Sequence, residues 1–145
     1  MQLSFGLDPV LYIAGYQGRE LDAFVRLMTR HEITQVIDVR ERPSSRRPGF
    51  AKSPLAAALE SAGIRYVHVR EAGNPFRHEG LESKAILAKY ARHIDAHPEI
   101  VNQVATLARE RPSALLCFEH DPSECHRSVL ADRVARVFPC RVVSL

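Results

Sequence analysis

Residues 10–28 read VLYIAGYQGRELDAFVRLM. The first five, Val10 to Ala14, form an apolar run that Gly15 ends, the pattern of a buried strand. From Leu21 the period changes. Leu21, Phe24, Val25 and Met28 stand at i, i+3, i+4 and i+7, one apolar stripe of a helix. A buried strand followed by an amphipathic helix is the unit from which parallel sheets are assembled.

The unit recurs along the chain. Ile33 to Val39 is β-branched and reads as a second strand. After a Pro/Ser/Gly-rich loop, Ser53-Pro54 predicts a helix with serine as N-cap and proline at the first helical position, and Gly63 closes it. Ile64 to Val69 reads as a third strand and Glu71 to Gly80 as a loop. Helices follow over about 81–96 and from Pro98, separated by the His97-Pro98 break. Ala114 to Phe118 is the fourth strand. Asp121-Pro122-Ser123-Glu124 resembles a capping box opening a helix that carries Leu130, Val134 and Val137, and Arg141 to Leu145 is the last strand. The order β-α-β-α-β-α-α-β-α-β predicts one α/β domain over residues 1–145. Its expected form is Rossmann-like or flavodoxin-like: a mostly parallel five-stranded sheet with helices on both faces. The pattern leaves the strand order open.

Composition narrows the functional classes. The 145 residues are 46% hydrophobic and 26% charged, which excludes disordered, collagen-like and coiled-coil chains. No apolar run nears the roughly 20 residues of a membrane helix, and the first residues lack the basic and apolar regions of a secretory signal. Three cysteines without framework spacing predict free thiols and a cytoplasmic location. The net charge of +3 is unevenly spread. Arg40, Arg42, Arg46, Arg47 and Lys52 face Glu41 alone within one loop, so the basicity is local. Such a loop suits an anionic partner, either a small molecule or a nucleic acid; a solvated surface loop has the same composition. Arg40 is expected to point into a pocket, Arg42 and Arg47 to stay solvated, and Phe50 to anchor the loop to the core.

Ligands of open α/β sheets bind beyond the carboxyl ends of the strands. That rule collects Gly15-Tyr16, Asp38-Val39-Arg40, His68, Arg70 and the segment Cys117-Phe-Glu119-His-Asp-Pro-Ser-Glu-Cys125-His126-Arg127. A helix start there supplies N–H donors and partial positive charge, Arg127 a fork of donors, and Cys125 a candidate thiolate. Glu119 is a candidate general base. Against these stand plainer roles: Cys125 as a small buried hydrophobe, Glu119 as the partner of Arg127 or Arg40, and His68, in parity with Ile64 and Tyr66, as a core histidine. Asp38 is placed to hold Arg40 or Arg127. The cysteine and histidine spacing is not that of a tetrahedral zinc site, so no metal is expected. Glycine-rich dinucleotide and nucleotide-triphosphate loops are absent, and no cofactor is named by the residues.

Taken in order, Gly15-Tyr16, Asp38-Val39-Arg40, Pro43-x-Ser45-Arg46 with Gly49-Phe50, Ala62-Gly63-Ile64 with Tyr66, Gly73-Asn74, and Leu116-Cys117-x-Glu119 with Cys125-His126-Arg127 resemble a small prokaryotic domain family of unknown function. Its marks are the DVR and C-x-E…CHR blocks. The resemblance spans about residues 11–134 and implies a Rossmann-like fold without implying a reaction. Phe118 and Ala72 depart from the family's usual small residue and leucine. Together, residues and resemblance select Glu119, Cys125 and Arg127 as catalytic candidates, and Gly15, Tyr16, Asp38, Arg40, Ser45, Arg46, Asn74 and His126 as ligand-binding candidates. The expected activity is hydrolysis or group transfer on a nucleotide, nucleic acid or phosphorylated metabolite. The alternatives are a non-catalytic nucleic-acid or ligand-binding module, and a thiol redox sensor using Cys117 and Cys125.

Overall fold

The structure, a computed structural model, describes residues 9–43, 45, 47–77, 79–117 and 126–145. Five strands, β1 (Val10–Gly15), β2 (Gln35–Asp38), β3 (Arg65–His68), β4 (Ser113–Cys117) and β5 (Arg141–Ser144), make one sheet in the order β3-β2-β4-β1-β5. Every pairing is parallel. Five helices cover it: α1 (Leu21–Arg30), α2 (Lys52–Ser61), α3 (Ser83–Asp95), α4 (Pro98–Glu110) and α5 (His126–Val137).

The central strands β2 and β4 are buried throughout, since helices cover both faces of the sheet. Alternate residues feed two cores. On one face Ala14, Val36, Ala114 and Leu116 meet Phe24 and Met28 of α1 and Leu55 and Leu59 of α2. On the other, Leu11, Ile13, Ile37 and Leu115 meet Tyr90 and Ile94 of α3, Val101 and Val104 of α4, and Leu130 and Val134 of α5. Strand β4 therefore sends the chain toward one face, while its neighbours β1 and β2 send it toward the other. Such a reversal makes the carboxyl ends of these strands, at Gly15, Asp38 and Cys117, the topological switch point of the sheet. Register brings these ends level: Gly15 pairs with Cys117, Asp38 with Leu116 and His68.

Two local expectations change. Helix α2 starts at Lys52 with Ala51 as N-cap, not at Ser53. The Lys52 N–H is satisfied by the Pro43 carbonyl at 2.9 Å, so the loop's own backbone does the capping. Pro54 then sits third in the helix, where an N–H is still unpaired within the helix and proline costs little. The stretch 71–80 is not loop alone, since a short 3₁₀ turn covers Arg70–Ala72. The capping box at 121–124 lies outside the described residues. Gly49 earns its place by geometry: its φ is +86°, and a Cβ there would lie 2.4 Å from Leu21 Cδ2, so the basic loop lies directly on α1. Among the described residues no helix is long and apolar enough to cross a membrane.

Candidate functional site

The strand ends at the reversal are joined by a buried ion pair. Asp38 is 0% and Arg40 2% exposed, and their closest approach is 2.7 Å. Asp38 Oδ1 accepts from the Arg40 backbone N–H at 3.1 Å and from Nε at 2.9 Å, while Oδ2 accepts from the guanidinium and from the Tyr66 hydroxyl. The Arg40 guanidinium also donates to the Phe50 carbonyl at 2.7 Å and to the Tyr16 hydroxyl at 3.2 Å. Burial works against the charge on Arg40. The Asp38 bonds and charge, with the Tyr16 oxygen, outweigh it and leave the pKa above its ordinary value. Tyr66 is held as the neutral phenol by burial and by Asp38.

Aromatic packing completes this hub. The Tyr16 ring stacks on Phe50 with centroids 4.5 Å apart and planes 8° from parallel, and Phe24 meets Phe50 edge-on. Phe50 is the expected loop anchor, fully buried. The Arg40 carbonyl lies 2.7 Å from His68 Nε2, which ties in β3. Arg40 therefore makes four side-chain hydrogen bonds inside the protein. Its guanidinium is a cross-link of the carboxyl edge rather than a cation held open in a pocket.

On the other side of β2, His126 Nε2 donates to the Val39 carbonyl at 2.8 Å. The lone pair of the neutral ring is then on Nδ1, which faces Cys117 Sγ at 3.7 Å. Burial pushes the His126 pKa down to about 4; Arg77 and Arg127 act in the same direction, and the Val39 carbonyl and Asp38 oppose it. Tyr90 packs edge-on to His126 and donates its hydroxyl to the Ala72 carbonyl at 2.7 Å. Arg127 is fully buried. Cys117 is disulfide-bonded, which corrects the expectation of free thiols at this position, and Cys140 is a free cysteine. The sequence carried a disulfide at Cys117 only within the redox-sensor alternative, because spacing alone cannot bring two sulfurs together.

The remaining candidates fall in three groups. Gly15 ends β1 opposite Cys117. Ser45 and Asn74 shape loops: Ser45 Oγ accepts the Arg47 N–H at 3.1 Å, and Asn74 Oδ1 accepts the Phe76 N–H at 3.0 Å. Arg46, Glu119 and Cys125 lie outside the described residues, as do Ser44 and His78. Arg42 is exposed as expected, but Arg47 is not simply solvated: its guanidinium donates to the Arg19 carbonyl, clamping the basic loop to the turn after β1. That contact is set by Gly49 and Leu21, which charge counting does not see.

Two adjoining clefts lie along this edge, outside β2 and β3. The smaller, about 440 Å³, is lined by Glu41, Arg42, Pro43, Lys52, His68 and Arg70. The larger, about 500 Å³, shares Glu41 and Arg70 and adds Glu71, Gly73 and Pro75 with His93, His97, Glu99, Ile100 and Gln103 of α3, α4 and their junction. A Cβ on Gly73 would lie 2.4 Å from Glu41 Cα, so only glycine lets the loops after β2 and β3 meet at the boundary between the clefts. Sequence reasoning missed the second cleft, although His93 and His97, four residues apart across the end of α3, are a visible signal. Among the described residues no group of three or more His, Cys, Asp or Glu could hold a metal ion.

Two outcomes follow from this chemistry. Arg40→Met leaves Asp38 buried without its cation and should cost roughly 3–5 kcal/mol in urea unfolding, whereas adding Asp38→Leu should recover part of the loss. Equal stability of the single variant and the wild type would remove the ion pair from this role. His126 is neutral in the fold and has a lower pKa there than unfolded, so its contribution is complete above about pH 6.5 and is lost as pH falls toward 4. Stability should drop by up to about 3 kcal/mol over that window, and His126→Gln, which keeps a donor for Val39, should remove that part of the pH slope.

No curated protein and no solved structure matches this chain at a significant level. A family model described as a domain of unknown function matches residues 20–134, a span holding the Asp38–Arg40 pair, both clefts, Cys117 and His126. By that match, the chain belongs to the DUF488 family.

Proposed function

We propose that the carboxyl edge of the sheet binds an anionic ligand — a nucleotide, nucleic acid or phosphorylated metabolite — and hydrolyses it or transfers one of its groups. The observation that carries this reading is the smaller cleft, where Arg42, Lys52 and Arg70 stand with His68 against one carboxylate, Glu41. Three cations converging on a concave surface favour a phosphate over solvent counterions. The hub beneath supports the reading: with Arg40 occupied internally, the loop is rigid where it turns, and Arg42 and Lys52 are the residues left to meet a ligand. Glu119 as base, water or, in the reduced protein, Cys125 as nucleophile, and Arg127 as a charge-stabilising group are assigned from the sequence, in a cytoplasmic protein.

Titration with inorganic phosphate, nucleoside monophosphates and a short single-stranded oligonucleotide tests it. Arg42→Ala with Lys52→Ala should weaken binding at least about tenfold, close to 1.4 kcal/mol. Unchanged affinity at low salt would overturn the assignment. Turnover that Glu119→Gln abolishes with binding intact supports an enzyme; saturable binding with no turnover makes the protein a binding module.

The disulfide at Cys117 favours a second reading, a thiol redox sensor with Cys125 as the other sulfur. A dithiol reductant would give two electrons and two protons to the disulfide, breaking the S–S bond to leave two thiols while the reductant itself closes to a disulfide. His126 Nδ1 would then accept the Cys117 S–H. Native-state alkylation in glutathione buffers should show a midpoint within the cytosolic range, roughly −220 to −320 mV. A Cys117 that is reduced only after unfolding is structural.

A further inference from the structure

We propose that the two clefts form one site for a purine nucleotide of the guanine type, with its phosphate in the smaller cleft and the donor edge of its base in the larger. The inference rests on the anionic-ligand reading and adds the part of the ligand that reading leaves open. The clefts share Glu41 and Arg70, so a ligand can run from one into the other across a common wall. Their polarity inverts across that wall. Three cations face one carboxylate in the smaller cleft, whereas Glu41, Glu71 and Glu99 face only Arg70 in the larger.

An ionised carboxylate accepts hydrogen bonds and donates none. A second phosphate is therefore repelled from the larger cleft, and a group rich in N–H donors is favoured. Guanine presents its N1–H and 2-amino group side by side, matching the two oxygens of a carboxylate. The walls suit a flat ring. His93 and His97 lie with ring centroids 4.6 Å apart, and Phe76 buttresses His93 edge-on at 5.7 Å. His97 Nδ1 donates to the His93 carbonyl, so the neutral His97 ring keeps its lone pair on Nε2. Ile100, buried, supplies an apolar floor. A volume of about 500 Å³ lies within the range of small-molecule sites.

Calorimetric titration with guanosine monophosphate, inosine monophosphate, guanosine and inorganic phosphate separates the two claims. Inosine monophosphate lacks only the 2-amino donor and should bind roughly tenfold or more weakly than guanosine monophosphate. Glu71→Gln with Glu99→Gln should erase that preference and leave phosphate affinity unchanged. Arg42→Ala with Lys52→Ala should weaken phosphate and both monophosphates while guanosine binding persists. All four side chains are exposed, so both variants should fold. Equal binding of the two monophosphates by the wild type, with phosphate still bound, overturns the base site and leaves the anion site standing. Guanosine bound without phosphate overturns the anion site alone, and no binding of any probe overturns both.

Discussion

The Asp38–Arg40 pair is the constraint on which the carboxyl edge depends. Neither side chain has access to water, so each must find its partners inside the protein. Satisfying them recruits Tyr16 from the end of β1, Phe50 from the basic loop and Tyr66 from β3. A buried charge pair of this kind adds little net stability compared with apolar packing. Its effect is specificity of arrangement: three strand ends and a long loop have one way to meet that leaves no charge unpaired.

Several chemistry-bearing residues are therefore occupied in building. Arg40, Asn74 and Ser45 hold backbone or buried oxygen and nitrogen atoms, and Gly49 and Gly73 permit chain segments to approach where a Cβ would collide. His126 belongs partly to this group through Val39, yet its Nδ1 faces Cys117, so it couples the α3–α5 side of the sheet to the sulfur at the end of β4. The side chains around the hub, exposed Arg42, Lys52 and Arg70 with the acidic and histidine residues beside them, are those the proposed ligand site would use. Rigid first residues and exposed second ones are a sound division for a site on loops, because a loop orders a ligand only if its own base is fixed.

Motif residues and cleft residues differ in how far they can be read from the chain. Asp38 and Arg40 stand two apart at a strand end, and their pairing is a local event that a sequence permits one to expect. The alternative partner, Arg127, was equally open on that evidence. Tyr66 as a ligand of Asp38 needs the β2–β3 register, and Glu71 beside Glu99 needs the packing of the 3₁₀ turn against α4. Arg47 illustrates the converse. Its charge suggested solvent, but Gly49 draws the loop onto α1 and brings the guanidinium to the Arg19 carbonyl.

The alternation of elements, the helix stripes and the gathering of polar types at the strand ends were all determined by the sequence alone. Apolar periodicity and chain breaks act over a few residues and need no partner to be recognised. Strand order, the reversal around β4, the disulfide at Cys117 and the pair of clefts of opposite polarity were decided only by tertiary structure. Each depends on which segments far apart in the chain become neighbours, and that is settled by burying two apolar faces of one sheet while every interior charge finds its partner.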